Sequence, residues 1–351
     1  MNKRNYILLF FALFLLLQSK AQITVNPSPI KWLTIEQADS LFEKNPKPML
    51  IDVYTDWCGW CKYMMKTTFA DKGIAGYINT NFYPVRFNAE TFDTITYQGK
   101  TYINPGNGGS KTKHDFAKYL LNGRFSFPTI VYIDRKRHLY QIPGYMEIKD
   151  IEPLLVYFSE DVNIAAKYDE WKILFEFNYK KAYKEDIAKI DSVDYPDTTG
   201  LVLAKSVQNA SDLCFKIKKP LLIYFYTDWC QSCKVENGLV FKNKVIADLI
   251  NEKYNFVKFN AASQAVDTLF GSAFKGTGKG RPHQLTYALL KQNFKFPAFV
   301  FISPEKVKLN EMHGFVLPYQ LEEILVYFSE KKYNSQSFQE FIKTFKGKIK
   351  H

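Results

Sequence analysis

At 351 residues the chain is long enough for about two domains, each with its own core. Its 46% apolar and 23% charged residues are ordinary for a globular protein, and 17% aromatics predict ring-rich cores. The formal net charge of +12 comes from basic residues scattered among acidic ones, with no basic stripe and no recognisable module, which argues against a nucleic-acid partner.

The first 21 residues read as a secretory signal peptide: a basic start at Asn2-Lys3-Arg4, an apolar run from Ile7 to Leu17, and a small-x-small site at Ser19-Lys20-Ala21. The run is well short of the ~20 residues a membrane span needs. An uncleaved anchor is the alternative. Cleavage before Gln22 would remove Lys3, Arg4 and Lys20 and lower the net charge from +12 to +9. The expected location is therefore exported and periplasmic. Residues 22–33 read as extended, and Thr34-x-x-Gln37 is a capping-box signature for a helix to about Glu43. Pro46 and Pro48 end it. The apolar run Met49-Leu50-Ile51-Asp52-Val53 then predicts a buried strand, followed by Tyr54-Thr55-Asp56-Trp57-Cys58 and a helix through Cys61. Asn81 to Phe87 predicts a second strand, and residues 90–113 a long polar, glycine-rich loop. A helix near His114 comes next, then Phe127-Pro128 leading into the strand Thr129 to Ile133. His138 to Ile142 pairs with it as a hairpin ending at Gly144, and a helix from about Lys149 to Ser159 completes the unit.

The same order recurs. Tyr226-Thr227-Asp228-Trp229-Cys230 follows the apolar run Leu221 to Phe225, and Phe259-Asn260-Ala261 repeats Phe87-Asn88-Ala89. His283, Phe296-Pro297 and Gly314 repeat His114, Phe127-Pro128 and Gly144, while Val156-Tyr157-Phe158-Ser159-Glu160 returns verbatim at Val326 to Glu330. The copies differ in length mainly in the loop before the histidine, as surface loops allow. This is a tandem duplication. The expected division is 1–21 signal peptide, 22–160 first domain, 161–200 helical connector, 201–331 second domain and 332–351 a terminal helix. Within it, Ser337–Lys350 carries aromatics at helical spacing.

Four of the five cysteines fall into Cys58-x-x-Cys61 and Cys230-x-x-Cys233. A secreted scaffold stapled by disulfides spreads its cysteines over loops, so two tight pairs argue for redox chemistry. A strand that delivers two cysteines to a helix start suits thiol–disulfide exchange, because the helix N-terminus favours the reactive thiolate. Zinc sites use the same spacing, and four thiolates would bind one ion if the domains faced each other. No metal site and no cofactor is expected. Glycine-lysine loops do not fit a phosphate-binding pattern. The helix-start His114 and His283 read as surface residues before any general-base role. Cys214 aligns with Phe42 and reads as a core thiol.

Trp-Cys-x-x-Cys-Lys after a buried strand, with a Phe-Pro strand hairpin ending in Gly, resembles the thioredoxin family over roughly residues 33–160 and 205–330. The resemblance implies an α/β fold: two tandem thioredoxin-like domains, each a central mixed sheet flanked by helices, joined by a helical connector. It implies that Cys58 and Cys230 are exposed nucleophiles and Cys61 and Cys233 the resolving thiols. Pro128 and Pro297 match the family's cis-proline, which presents backbone to a substrate peptide. Trp57 and Trp229 are expected to shield the sulfurs. Asp52 matches the family's buried proton acceptor, whereas the second copy has Tyr224, a poor base at neutral pH. That difference predicts slower exchange, or a binding role, in the second domain. Phe127 and Phe296 are larger than the residue common in the family before the proline. The implied function is a periplasmic thiol–disulfide oxidoreductase acting on protein disulfides as a reductase or isomerase, with a membrane thiol reductase as electron donor. The alternatives are a non-catalytic client- or metal-binding module and an electron relay between the two sites.

Overall fold

The protein, seen here as a computed structural model, is described over residues 29–106, 111–183 and 199–350. The expected signal peptide lies outside these residues. Met49 to Tyr54 forms β1, with Met49 to Val53 buried. It is central: parallel to β2 (Tyr83–Asn88) on one side and antiparallel to β5 (Thr129–Ile133) on the other, with β6 (Leu139–Pro143) outermost beyond β5. A strand covered on both faces reads as an unbroken apolar run rather than an alternating one. On one face Met49, Ile51 and Val53 meet α1 (Ile35–Lys44) and α4 (Asp115–Leu121) in one core. On the other, Leu50 joins Met64 of α2 (Gly59–Lys66), Ile78 of α3 (Lys72–Asn81) and Phe158 of α5 (Ile148–Ser159). Each such fully buried side chain contributes roughly 1.5–3 kcal/mol. α1 starts at the predicted capping box, with Gln37 N–H donating to Thr34 Oγ1 at 3.2 Å and Thr34 N–H to Gln37 Oε1 at 2.9 Å.

The long loop is more ordered than expected. It contains a small hairpin, β3 (Ile95–Tyr97) and β4 (Lys100–Tyr102). Its turn, Gln98-Gly99, has φ of 51° and 72°, the left-handed pair that a two-residue hairpin turn requires and that glycine adopts without strain. Tyr97 and Tyr102 bury their rings against Phe116. Residues 107–110 of that loop lie outside the described residues.

The second unit repeats the plan with β7 (Leu221–Tyr226), β8 (Asn255–Asn260), β9 (Asp267–Leu269), β10 (Ser272–Phe274), β11 (Ala298–Ile302) and β12 (Lys308–His313). Its main sheet runs β12-β11-β7-β8. The helices are α8 (Val207–Lys216), α9 (Gln231–Val235), α10 (Lys244–Lys253), α11 (Gln284–Leu290) and α12 (Pro318–Ser329). Unlike α2, α9 widens into a π-helical turn over Glu236–Val240.

Between the units, α6 (Val162–Ala165) and α7 (Tyr168–Tyr183) form the connector, and residues 184–198 lie outside the described residues. Trp171 of α7 is fully buried, donates its indole N–H to the Pro153 carbonyl at 2.9 Å and packs edge-on to Phe315 of the second unit. Where α7 crosses the π turn, a Cβ on Gly238 would come within 2.1 Å of Asn178 Oδ1, so a larger residue there would have to turn the Asn178 side chain aside. The terminal helix, α13 (Phe338–Thr344), is shorter than the predicted Ser337–Lys350. After Phe345 the chain turns away because the Glu322 carboxylate takes the N–H groups of Lys348 and Ile349, at 2.8 and 2.9 Å. α13 repeats α7: Tyr157 donates to the Ala166 carbonyl before α7, and Tyr327 to the Gln336 carbonyl before α13, both at 2.8 Å. The same bond thus precedes the helix that follows each unit. Among the described residues no helix is long and apolar enough to cross a membrane.

Candidate active site

Cys58 is the N-cap of α2. Its Sγ accepts the Cys61 N–H at 3.1 Å and is bonded to Cys61 Sγ at 2.07 Å. The expected exposure of Cys58 is not found: only 4% of it is accessible, and 1% of Cys61. A sulfur tucked into the first helical turn and bonded to the next thiol presents little more than an edge. Trp57, the residue before Cys58, stands 53% exposed. Its indole N–H donates to Glu90, at 3.1 and 3.0 Å from the two carboxylate oxygens, and Glu90 is paired with Lys113 at 2.6 Å. Its ring meets Phe127 edge-on, and the Phe127-Pro128 bond is cis. Since Val53 pairs with Thr129, Pro128 lies beside the end of β1 from which Cys58 follows. The face around the disulfide is aromatic: Trp60 and Tyr63 are 62% and 50% exposed and both contact Tyr145.

Asp52 is fully buried, on the Leu50 face of β1 that looks toward α2. Burial pushes its pKa up to about 6, against the pull of Arg86, whose Nε lies 3.4 Å away on the neighbouring β2 position. Arg86 is itself stacked on Tyr54, 4.0 Å from the ring centre.

The second site repeats the frame with different chemistry. Cys230 caps α9, accepts the Cys233 N–H at 3.1 Å and is bonded to Cys233. Trp229 is 65% exposed and edge-on to Phe296, and Phe296-Pro297 is cis. Tyr224, at the place of Asp52, is fully buried between Phe241 and Phe299 and donates to the Cys233 carbonyl at 3.4 Å. Burial raises its pKa far beyond neutrality. A carboxyl is nevertheless present beside Tyr224: Glu236, fully buried on the π turn, accepts the Val316 N–H at 2.9 Å through Oε1 and interacts with the Tyr224 hydroxyl. Burial holds it well above the usual carboxylate range. Aligning the copies at their cysteines sets Glu236 on Met64, so an Asp–Met pair in one copy is a Tyr–Glu pair in the other.

A second residue was not visible as part of the site. Glu160, the last residue of the repeated pentapeptide, reaches from the first unit to the start of α9 and accepts from Gln231 and Ser232. The verbatim repeat marks the segment, but only the packing of the units gives it a role.

The two histidines are not at the surface. His114 and His283 are fully buried N-caps, whose Nδ1 accepts the N–H two residues on (3.0 and 3.1 Å). Each Nε2 bonds a carbonyl of the preceding loop, Asp93 at 3.0 Å and Ala265 at 2.9 Å. They tie loop to helix, and burial lowers the His114 pKa. Cys214 is a buried core thiol, its pKa pushed up to about 11 by burial. Among the described residues no group of three or more His, Cys, Asp or Glu side chains is placed to hold a metal ion.

Residues 35–159 match the family model described as "Thioredoxin-like domain", and residues 207–304 the one described as "Thioredoxin-like". No curated protein matches the sequence. Among solved structures, a thioredoxin-fold protein from Helicobacter pylori is 17% identical, with 47% of this chain and 96% of that one covered and a TM-score of 0.29. The reduced C-terminal domain of DsbD from Neisseria meningitidis is 17% identical, covering 35% and 91% at 0.25. A disulphide isomerase from Xylella fastidiosa Temecula1 is 19% identical, covering 39% and 83% at 0.23. At these scores none of the three bears on what the chain does. The two family matches, with two sheets of the same order and a cysteine pair opening the same helix in each, place the chain in the thioredoxin-like family as a tandem of two such domains.

Proposed function

We propose that the protein is a thiol–disulfide oxidoreductase whose principal site is Cys58–Cys61. The observation that carries this reading is a disulfide at a helix start, beside a cis-proline and ringed by exposed aromatic side chains. An exposed apolar patch of that kind suits an unfolded or misbridged client protein. Cys58 thiolate attacks a client disulfide, a mixed disulfide forms and one client thiolate leaves. Cys61 then attacks the mixed disulfide, releasing the second client thiolate and leaving Cys58–Cys61 oxidised. Pro128 and Trp57 border the client groove here, Pro297 and Trp229 in the second domain. Asp52 takes the Cys61 proton, and a pKa of about 6 suits that task at neutral pH.

Cys230 and Cys233 form a second, slower pair. The direction we favour is reduction or isomerisation of protein disulfides in the periplasm, with electrons from a membrane thiol reductase. The leader-like sequence of residues 1–21 supports the location, and a mature chain starting at Gln22 would test it. With Cys230 and Cys233 replaced by Ser, reduced Cys61→Ser protein is expected to accumulate a mixed disulfide with a scrambled, disulfide-bonded client protein, and Cys58→Ser none. Trapping through Cys61 in the Cys58→Ser protein would reverse the assigned roles. Equilibration in graded thiol buffers sets the direction: a pair below about −230 mV is a reductase, one nearer −150 mV an oxidant or isomerase.

A further inference from the structure

The two sites differ in what covers them. In the first, both residues between the cysteines, Gly59 and Trp60, are exposed. In the second, Ser232 is fully buried, and Cys230 has no accessible surface. The cover is Glu160, which caps the C-terminal end of α5 in the first unit. Its Oε1 accepts the Gln231 N–H at 3.0 Å. Its Oε2 accepts the Ser232 N–H at 2.7 Å and the Ser232 hydroxyl at 2.5 Å, and lies 3.7 Å from Cys230 Sγ. Backbone N–H groups at a helix start are what stabilises a cysteine thiolate there. Two of them are already committed to a carboxylate, and a second negative charge at 3.7 Å is repelled by the first.

We propose that Glu160 is a positioning residue of the second site: it holds reduced Cys230 as a thiol, with the S–H donated to the Glu160 carboxylate, and so keeps this site a slow nucleophile while the first domain is docked. The inference rests on the thiol–disulfide reading above. The proton stays on sulfur and the single negative charge on the carboxylate.

The surroundings do not relieve that charge. The Tyr77 hydroxyl of α3, 3.3 Å from Oε1, is kept neutral by burial, as is Tyr224 of β7. Arg135, after β5, donates to the Ser159 carbonyl and pairs with Asp161, which also takes Lys295 at 2.9 Å. Lys72 lines the adjoining cleft. Among the described residues Glu160 has no ion-pair partner in contact. Its counterpart Glu330, at the end of the same pentapeptide in the second unit, is exposed and pairs with Lys332 at 3.3 Å. The same five residues thus serve the site only where a second domain follows.

The test uses the full chain with Cys58 and Cys61 replaced by Ser, reduced, and alkylated with iodoacetamide across a pH series, Cys230 being followed by peptide mass spectrometry. Glu160→Gln is expected to lower the pH midpoint of Cys230 alkylation and raise its rate at neutral pH about tenfold or more. Glu160→Ala moves the midpoint the same way, and Glu330→Gln leaves it where it was. An unmoved midpoint in both Glu160 variants overturns the proposal. That includes the case in which only the high-pH plateau rises, since Glu160 would then be a cover without an electrostatic role. Alkylation reads the thiolate whether or not the site exchanges disulfides, so loss of the oxidoreductase reading would be seen separately, in the client-trapping experiment.

Discussion

Replacing Asp52 with Asn measures what its buried carboxylate costs the first domain. Asp52 is 1% exposed, and its ionic partner Arg86 holds it only at 3.4 Å. Burial therefore outweighs the ion pair and raises the pKa from 3.8 to about 6. The folded domain binds this proton more tightly than the unfolded chain does. The stabilisation from that proton is complete below about pH 4 and is lost as the pH rises through about 6. Above that, the ionised group costs about 3 kcal/mol, from roughly 1.4 kcal/mol per pH unit of the rise. Asn has the shape of the neutral acid, so the variant should behave as if always protonated. Calorimetry of oxidised parent and variant from about pH 4 to about pH 8 is the assay, and comparing them at each pH cancels the second domain's contribution. The expected outcome is no difference at the acid end and a gain growing to about 3 kcal/mol, on the order of 5 °C in the Tm of the whole chain's transition, at the alkaline end. A difference that is flat with pH, or a variant less stable at about pH 8, would refute the claim that burial dominates Arg86. The same variant is expected to slow release of the mixed disulfide at the first site.

The second site predicts a coupled pair. Tyr224→Asp alone sets a second carboxyl beside buried Glu236 and is expected to cost the second domain about 3–5 kcal/mol, read from its urea midpoint. Adding Glu236→Met, which restores the pairing of the first copy, should recover much of that loss, and simple additivity of the two changes would contradict the assigned contact. Trp171→Ala removes a fully buried indole lying between the units and is expected to cost about 3–5 kcal/mol. Calorimetry should then separate one unfolding transition into two, and a single transition merely shifted down would mean the coupling runs elsewhere.

What was legible in the sequence was local or repeated. Met49–Tyr54 and Leu221–Tyr226 read as strands because central strands are apolar on both faces, and Thr34-x-x-Gln37 because a capping box is closed within one turn. The duplication confirmed each element against its copy. The hairpin at Ile95–Tyr102 was hidden because its strands are three residues each and its inward side chains are Ile95 and two tyrosines, Tyr97 and Tyr102, too few to show an alternation; Gln98-Gly99 and Phe270-Gly271 were its one signal. His114 and His283 were misplaced at the surface because the carbonyls that satisfy their rings come from the far end of a loop, some 20 residues away in sequence. Glu160 and Glu236 escaped for a related reason. One acts on a neighbour 70 residues on, across a domain boundary, and the other replaces an acid that alignment expects on a strand, not a helix.

The seating of α5 on the start of α9 also has a consequence for the duplication itself. The contact joins unlike faces, tail to head, so two copies of one unit cannot make it symmetrically. One copy gives its tail and the other its head, and a spare head and a spare tail remain at opposite ends of the chain. The spare head is the Cys58 helix, with Trp60 in the open. The spare tail is Glu330, which settles for Lys332 while α13 lies along its unit with only Phe341 buried. Order in the chain therefore leaves the two helix starts in unlike surroundings, one open to solvent and one covered by Glu160, whatever stands at Asp52 and Tyr224.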